Sequence, residues 1–390
     1  MKLIEIQQEL ATLDLSGWLF FDHHQRDPLA YRILEFEAPR TPTRRWFYFV
    51  PAFGQPVRLV HRIESRMLDA LPGEKVLYSG WQELKTHLRG LLAGRNRVAM
   101  QYSPECAIPY VAMVDAGTVD LVRSFGVDVV SSADLVQIFE ASWSPASLEK
   151  HLEAGRLVDS IRQKAFQFLG ERLRNNTPTT ELDVKEFVLS SFKQAGLFTD
   201  HGPIAAVNQN CSDPHYEPTR DRHQTINRGD FFLLDLWAKI DNDPDAVYYD
   251  ITWTGRCYEE PTDEMKRVFS AVSGARDAAV DLVRTATESG RELRGFEVDD
   301  AAREHIRSLD FGDYFIHRTG HSIGRDVHGS GANMDNLENH DERKVIPLTC
   351  FSVEPGIYLP EFGIRSEVNV FVGEGKAMVT GEIQRNLIVI

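Results

Sequence analysis

The sequence predicts an α+β fold in two domains, residues 1–142 and 143–390. Three observations carry this. The first part alternates strand-like and helix-like segments. A Ser-Pro break follows at Ser144-Pro145. Beyond it come long amphipathic helix patterns and two hairpins that carry acids inside apolar runs. A chain of 390 residues is long enough for two cores of its own.

In the first domain Trp18 to Phe21, Trp46 to Val50, Val57 to Val60 and Arg97 to Met100 are β-branched and aromatic runs, read as strands. Trp81 to Leu92 and Pro109 to Phe125 are read as helices. The result is a smaller α/β domain, with no glycine fingerprint for a nucleotide. After Ala141-Ser142-Trp143, Ser144 and Pro145 form a cap and a first helical position for a helix reaching about Arg174. A second helix runs from Thr180 to Gln194, with Thr180 and Asp183 at capping-box spacing and Gly196 past its end. Two more span Thr262 to Thr287 and Val298 to Leu309. The second domain is thus helices around antiparallel sheet, and its two acid-bearing hairpins hint at an internal pseudo-symmetry.

The net charge is −15, from 43 basic and 58 acidic residues, which argues against nucleic acid or an anionic membrane as partner. Cys106, Cys211, Cys257 and Cys350 form no CxxC pair, which fits a reducing cytoplasm. MKLIEIQQELATLD has no signal-peptide core, and no later run approaches membrane-spanning length. A cytoplasmic protein is expected.

The first hairpin is FFLLDLWAKIDNDPDAVYYDITWTG, from Phe231 to Gly255. Its turn-rich centre, Asp241 to Asp245, lies between two apolar runs. A turn centred near Asn242 and Asp243 faces Asp235 with Asp250. The second hairpin, CFSVEPGIYLPEFGIRSEVNVFV, turns near Pro360 and faces Glu354 with Glu367. A bulge would shift either register. Like charges opposed across strands repel, and their burial costs more. Carboxylates with few nitrogen ligands suit a hard or borderline divalent metal between them. The plainer reading is two exposed hairpins with solvated acids. The placement of both pairs inside hydrophobic runs favours metal.

HRTGHSIGRDVHG supplies His317, His321 and His328, which read either as a solvated loop or as a ligand with acid/base or substrate-binding partners. His215 lies in the proline-bracketed loop Asp213 to Thr219, a weak signal by itself.

Together these residues resemble the pita-bread (creatinase/aminopeptidase) metallopeptidases, in the branch of Xaa-Pro aminopeptidases and prolidases. The resemblance covers about 144 to 390 well. Over 1 to 142 only length and element order are similar to the family's N-terminal creatinase-type domain. It rests on Asp235 in LLDLWAK, Asp250 in YYDIT, His321 in TGHSIG, Glu354 in SVEPGIY and Glu367 in GIRSEV. These stand in the order of the family's five metal ligands. His215 in PHYEPT, His317, His328 in DVHG and Arg365 match accessory positions. The chain departs at Trp253, where the family often has arginine, at Gly329, where an acid is usual, and at Ser322, where glycine is usual. It also has a longer stretch between the first two ligands. These departures bear on the substrate.

The resemblance implies a two-metal hydrolase in which bound ions lower the pKa of a water. Asp250 and Glu367 bridge the ions, Asp235 binds one, and His321 and Glu354 complete the other. Glu354 also moves the proton. His328 stabilises the oxyanion, His317 and Arg365 hold the substrate's far end, and His215 contacts the proline side. Manganese suits the oxygen-rich shell, with cobalt, iron or zinc as alternatives. A homodimer is implied, with the loop Asp22 to Asp27 or the strand Trp46 to Val50 as candidates for the neighbour's active-site mouth; the plainer reading of the strand, and the favoured one, is core. The substrate implied is a dipeptide or short peptide with an Xaa-Pro bond. The rivals are a same-fold hydrolase or lyase acting on a non-peptide small molecule, and an inactive binding module. The complete ligand set speaks against the last.

Overall fold

The computed structural model describes residues 2–390. It divides into two units, one ending at Glu140 and the other spanning Ala141–Ile390. The fold is α+β, as the sequence predicts.

The first unit holds α1 (Leu3–Thr12), β1 (Gly17–Asp22), α2 (Pro28–Leu34), β2 (Trp46–Pro51), β3 (Val57–His61) and β4 (Glu74–Tyr78). It continues with α3 (Trp81–Leu92), β5 (Arg97–Met100), α4 (Ala116–Arg123), β6 (Asp128–Ser131) and α5 (Ala133–Val136). The strands form one mixed sheet in the order β4-β3-β2-β1-β5-β6. Every residue of β1 and β2 is buried. Alternation explains this: Trp18, Phe20, Trp46 and Tyr48 pack with α1 and α2 on one face. Leu19, Phe21, Phe47 and Phe49 pack with α3 and α4 on the other. A strand covered on both faces reads as a continuous apolar run. Each such side chain contributes roughly 1.5–3 kcal/mol. The run Trp46 to Val50 is therefore core and offers no face to a neighbouring subunit.

The loop after β1 is fixed by Asp22. Its carboxylate accepts from the N–H groups of Gln25, Arg26 and Asp27 and from the Tyr31 hydroxyl, and His24, Gln25 and Arg26 are left exposed. One expectation fails. Pro109 to Phe125 is not a continuous helix. A 3₁₀ turn covers Pro109–Val111, and α4 starts only where Asp115 accepts from the Thr118 N–H at 3.0 Å. Between them the N–H groups of Met113 and Val114 bond to the Gln101 carbonyl, which holds that stretch out of a helix.

The second unit holds α6 (Pro145–Arg174), α7 (Glu181–Gln194), β7 (Leu197–Phe198), β8 (Ile204–Val207), β9 (Phe231–Ile240), β10 (Tyr249–Arg256), α8 (Asp263–Ser289) and α9 (Gly295–Arg307). Then come β11 (Ser322–Ile323), β12 (Thr349–Val353), β13 (Gly356–Tyr358), β14 (Gly363–Arg365), β15 (Val368–Gly373), β16 (Lys376–Thr380) and β17 (Ile388–Val389). Ser144 caps α6 through the Ser147 N–H, and Thr180 and Asp183 form the capping box of α7. One sheet runs β17-β10-β9-β7, with β8 also on β9. A second runs β11-β12-β15-β16, and β13 pairs with β14. α6 and α7 pack on the first sheet, α8 and α9 on the second. A helix pair followed by an acid-bearing antiparallel pair thus occurs twice, the form the hairpins hinted at.

Candidate metal centre

Hairpin β9–β10 places the first two acids with a different register from the one expected. Asp235 lies opposite Thr252, and Asp250 lies opposite Trp237. The connection is longer than a tight turn. Asn242 takes a left-handed conformation, and Asp243 accepts from the Asp245 N–H at 2.9 Å. The register moves by two residues. Because side chains alternate with period two, both acids stay on one face as diagonal neighbours.

Glu354 and Glu367 hold the facing positions their spacing predicts. The β12–β15 ladder ends at Val353 opposite Val368 and resumes in the same register at Gly356 opposite Arg365. The two glutamates fall in the gap. Their N–H groups turn away, Glu354 to the Thr319 carbonyl at 2.7 Å and Glu367 to the Thr252 carbonyl at 3.3 Å. The strands open where the two carboxylates enter.

The two sheets meet at β10 and β15. Asn369 on β15 accepts from the Asp250 N–H at 3.1 Å and donates to the Asp250 carbonyl at 2.8 Å. This seats Asp250 beside Glu367. His321 arrives from the edge strand. Its N–H donates to Ser352 Oγ at 2.9 Å, and its carbonyl accepts from the Ser352 N–H at 2.8 Å. Gly320 permits that approach, since a Cβ there would sit 1.9 Å from the Ser352 carbonyl oxygen.

The ligand atoms of Asp250, His321 and Glu367 all lie within 4.8 Å of one another. His321 Nδ1 faces the Ser322 carbonyl at 3.2 Å, so Nδ1 carries the proton and Nε2 presents a lone pair. That lone pair points at Glu354 Oε1 (3.3 Å) and Asp250 Oδ2 (3.6 Å). A lone pair facing carboxylate oxygens is repulsive unless a cation lies between. Asp250 Oδ1 and Glu367 Oε1 are buried with no hydrogen-bond partner among the described residues. Burial, then the charge of Asp235, raises Asp250 well above the carboxylate range. Burial, then Asp250, does the same to Glu367. Burial raises Asp235 too, with Arg365 pulling against it. Asp235, Asp250, Glu354 and Glu367 meet one buried guanidinium, Arg365. The donor set is short of positive charge, and divalent cations fit it.

Arg365 is 3% exposed and is turned into the cluster. It pairs with Asp235, donates to Thr252 Oγ1 (3.0 Å) and Tyr358 Oη (3.1 Å), and stands 3.8 Å from Glu354. Two of its five N–H groups remain for another partner. His317 Nε2 lies 2.6 Å from Tyr358 Oη, and its Nδ1 lies 2.6 Å from the Arg318 carbonyl. The bonds therefore run one way, with Arg365 donating to Tyr358, Tyr358 to His317 and His317 to Arg318. Burial, then Arg365, pushes His317 down to about 3; burial, then Arg318, does so to His321. His328 is exposed at the rim and packs edge-on against the His321 ring at 4.3 Å, and the nearness of that second imidazole is the first cause lowering its pKa. His215 is exposed.

Asp235 and Glu354 stand at the edge of the Asp250–His321–Glu367 group. Asp235 is engaged by Arg365, and Glu354 accepts from Ser352 Oγ at 3.0 Å. Sequence reasoning missed Asn369, Tyr358 and Thr252. Thr252 donates to Glu367 Oε2 at 2.8 Å. Tyr358, the last strand residue before the turn of its hairpin and four after Glu354, and Thr252, two after Asp250, carried a signal in their spacing.

The departures resolve differently. Trp253 alternates away from Asp250 and Thr252 into the core under α6, with Arg162 3.5 Å above its ring. It does not line the cluster, contrary to the expectation that it bears on the substrate. Ser322 and Gly329 answer one another. A Cβ on Gly329 would lie 2.9 Å from Ser322 Oγ, and that hydroxyl accepts from the Gly331 N–H at 3.0 Å.

Residues 149–374 match metallopeptidase family M24. An Xaa-Pro dipeptidase of Lactobacillus delbrueckii subsp. lactis is 31% identical over 224 residues, 57% of this chain and 55% of that protein. The chain spans about 55–60% of the length of such curated relatives. Among solved structures, a dipeptidase of Mycobacterium ulcerans aligns with TM-score 0.74 at 22% identity, over 100% of this chain and 96% of that one. An X-prolyl aminopeptidase of Caenorhabditis elegans, described as a cytosolic enzyme with a di-nuclear active site, aligns with TM-score 0.68 at 16% identity, over 98% of this chain and 62% of that one.

Proposed function

The chain belongs to metallopeptidase family M24, and on that footing we propose that it hydrolyses the Xaa-Pro bond of dipeptides or short peptides. The observation that carries the proposal is the lone pair of His321 aimed at Asp250 and Glu354, beside the unpartnered oxygens of Asp250 and Glu367. Asp235, Asp250, His321, Glu354 and Glu367 would hold two divalent ions, with manganese favoured by one imidazole among four carboxylates. Bound ions supply Lewis acidity and lower the pKa of the attacking water.

The chain's own residues divide the remaining work. Glu354 Oε1 is held by Ser352, so Oε2 is the atom that takes the water's proton and returns it to the leaving nitrogen. His328 lies at the rim beside His321, placed to donate to the carbonyl oxygen as charge develops there. Tyr358 fixes His317 and Arg365 relative to one another, and the free N–H groups of Arg365 suit a terminal carboxylate. His215 stands at the open side, where a proline ring without an N–H would lie.

Among the described residues no helix is long and apolar enough to cross a membrane, and all four cysteines are free. A cytoplasmic homodimer is part of the proposal, with the exposed tip of the Asp22 to Asp27 loop as the contact candidate. Sedimentation showing a fully active monomer at micromolar concentration contradicts that part.

The deciding experiment is a turnover screen of manganese- and cobalt-loaded protein against Xaa-Pro dipeptides and Xaa-Pro-Xaa tripeptides. Cleavage before proline, abolished by chelation, is expected. If none is cleaved with manganese, cobalt, iron or zinc, the reading passes to a hydrolase or lyase of a non-peptide small molecule.

A further inference from the structure

The face of hairpin β9–β10 that carries Asp235 and Asp250 carries more than ligands. Alternation puts Asp235 and Trp237 of β9 on that face, with Asp250 and Thr252 across from them, and just beyond the ladder the Lys239 ammonium lies over the Tyr248 ring. Trp237 lies directly opposite Asp250, a position whose Cβ atoms are about 4.5–5.5 Å apart. Its ring is half-buried and packs against two hydrophobic clusters, one of them holding Tyr248 and Ile323. That makes it a fixed wall beside the ligand.

Trp237 Nε1 donates to Asp200 Oδ1 at 3.1 Å. Asp200 lies between β7 and β8, and its side chain is 40% exposed. Its Oδ2 meets the exposed His201 ring at 3.2 Å. Its charge is felt at both Asp250 and Tyr248. The opposite side of the ligand cluster holds Arg365, His317 and Tyr358. The site is therefore polarised, with a guanidinium at one end and a carboxylate framed by aromatic rings at the other, where the Lys239 ammonium over the Tyr248 ring is bonded to the Arg325 carbonyl. A zwitterionic ligand fits that polarity in one direction. Its carboxylate goes toward Arg365 and its ammonium toward Asp200.

We infer that Asp200 and Trp237 form the pocket for a substrate's amino-terminal residue. Asp200 binds the primary ammonium. The Trp237 indole, filling the space opposite Asp250, restricts the adjoining side chain to small ones. The inference rests on the peptidase reading for its substrate and on the hairpin geometry for its residues.

The test is calorimetric binding of L-alaninamide, L-leucinamide and N-acetyl-L-alaninamide to metal-loaded wild type, Asp200→Asn, Trp237→Ala and Trp237→Phe. Wild type should bind L-alaninamide at least tenfold tighter than either of the others. Asp200→Asn should weaken L-alaninamide about tenfold and leave the acetylated probe unchanged. Trp237→Ala should bring L-leucinamide to parity with L-alaninamide. Trp237→Phe keeps the wall and loses the N–H, so it should weaken L-alaninamide several-fold and keep the size preference. Wild-type affinity in Asp200→Asn overturns the ammonium site. An unchanged size preference in Trp237→Ala overturns the wall. If Trp237→Ala does not fold, loss of the size preference in Trp237→Phe overturns the wall, and its retention with weakened L-alaninamide supports it. Failure of Xaa-Pro cleavage with this binding pattern intact sinks the peptidase reading alone. Cleavage with a flat binding pattern sinks the pocket alone.

Discussion

Asn369 holds Asp250 by its backbone, accepting from the N–H at 3.1 Å and donating to the carbonyl at 2.8 Å. A carboxamide here replaces a neighbouring strand, because it offers one acceptor and one donor as a peptide unit does. It joins the two sheets where Asp250 and Glu367 meet. Asn369→Ala should leave the Asp250 backbone groups buried and unpaired, at about 1–3 kcal/mol each. Loss of such a supporting contact typically weakens metal binding by about 10–100-fold. Titration of the chelator-stripped variant with manganese checks this. Wild-type affinity would show that Asp250 is seated without Asn369.

Glu354 has one oxygen engaged by Ser352, which leaves Oε2 for the proton. Glu354→Gln keeps the shape and one oxygen but removes the base. Turnover should fall by about a hundredfold or more, while substrate binding changes little. Turnover within a few-fold of wild type rejects the role.

The four carboxylates were legible because each sits in a strand-like run with a turn at a countable distance, whereas His321 lies outside any strand-like run and only the resemblance picked it out. For Glu354 and Glu367 that count gives the observed register. For Asp235 and Asp250 it misses by two residues, because composition marks a turn at Asp241 to Asp245 without fixing its length. The error was harmless, since a shift of two preserves the face. Trp253 could have been read correctly by the same alternation that puts Asp250 and Thr252 together. Asn369 could not. Its contact with Asp250 joins residues 119 apart, and no local pattern encodes which strands of two separate sheets adjoin. The Ser322 and Gly329 pairing was hidden for a similar reason: it depends on a loop folding back onto β11.

Arg365, Tyr358 and His317 act as a chain of donors. If Arg365 holds a substrate carboxylate, Arg365→Ala should raise the Michaelis constant for a free dipeptide more than for its amide-capped analogue. Tyr358→Phe removes the hydroxyl that aligns the other two. It should produce the same asymmetry, weaker by several-fold, without exposing Asp235. Equal effects on free and capped substrates in both variants would place this chain outside substrate binding. Arg365→Ala should also lower stability, because Asp235 loses its buried counter-charge, a change that costs about 3–5 kcal/mol in comparable pairs.

His151 gives a pH dependence separate from the metal cluster. It is fully buried on α6. Nδ1 lies 2.7 Å from the Tyr248 carbonyl and Nε2 lies 2.6 Å from Thr380 Oγ1. Nδ1 therefore donates and Nε2 accepts from the hydroxyl, which requires the neutral ring. The Trp143 and Tyr249 rings flank it at 4.8 and 5.3 Å. Burial pushes it down from 6.5 to about 4. The unfolded chain then takes up a proton in a range where the folded chain does not. Stability is fully present above about pH 6.5 and is lost as pH falls toward 4, by ~3 kcal/mol. Below that the folded state is protonated too, and the loss stops. His151→Gln can keep both hydrogen bonds without titrating. Denaturant unfolding of metal-free wild type and His151→Gln between pH 7.5 and 4.5 cancels the contributions of the other histidines. The advantage of wild type over the variant should shrink as pH falls. Parallel curves across that range would show that His151 does not control acid stability.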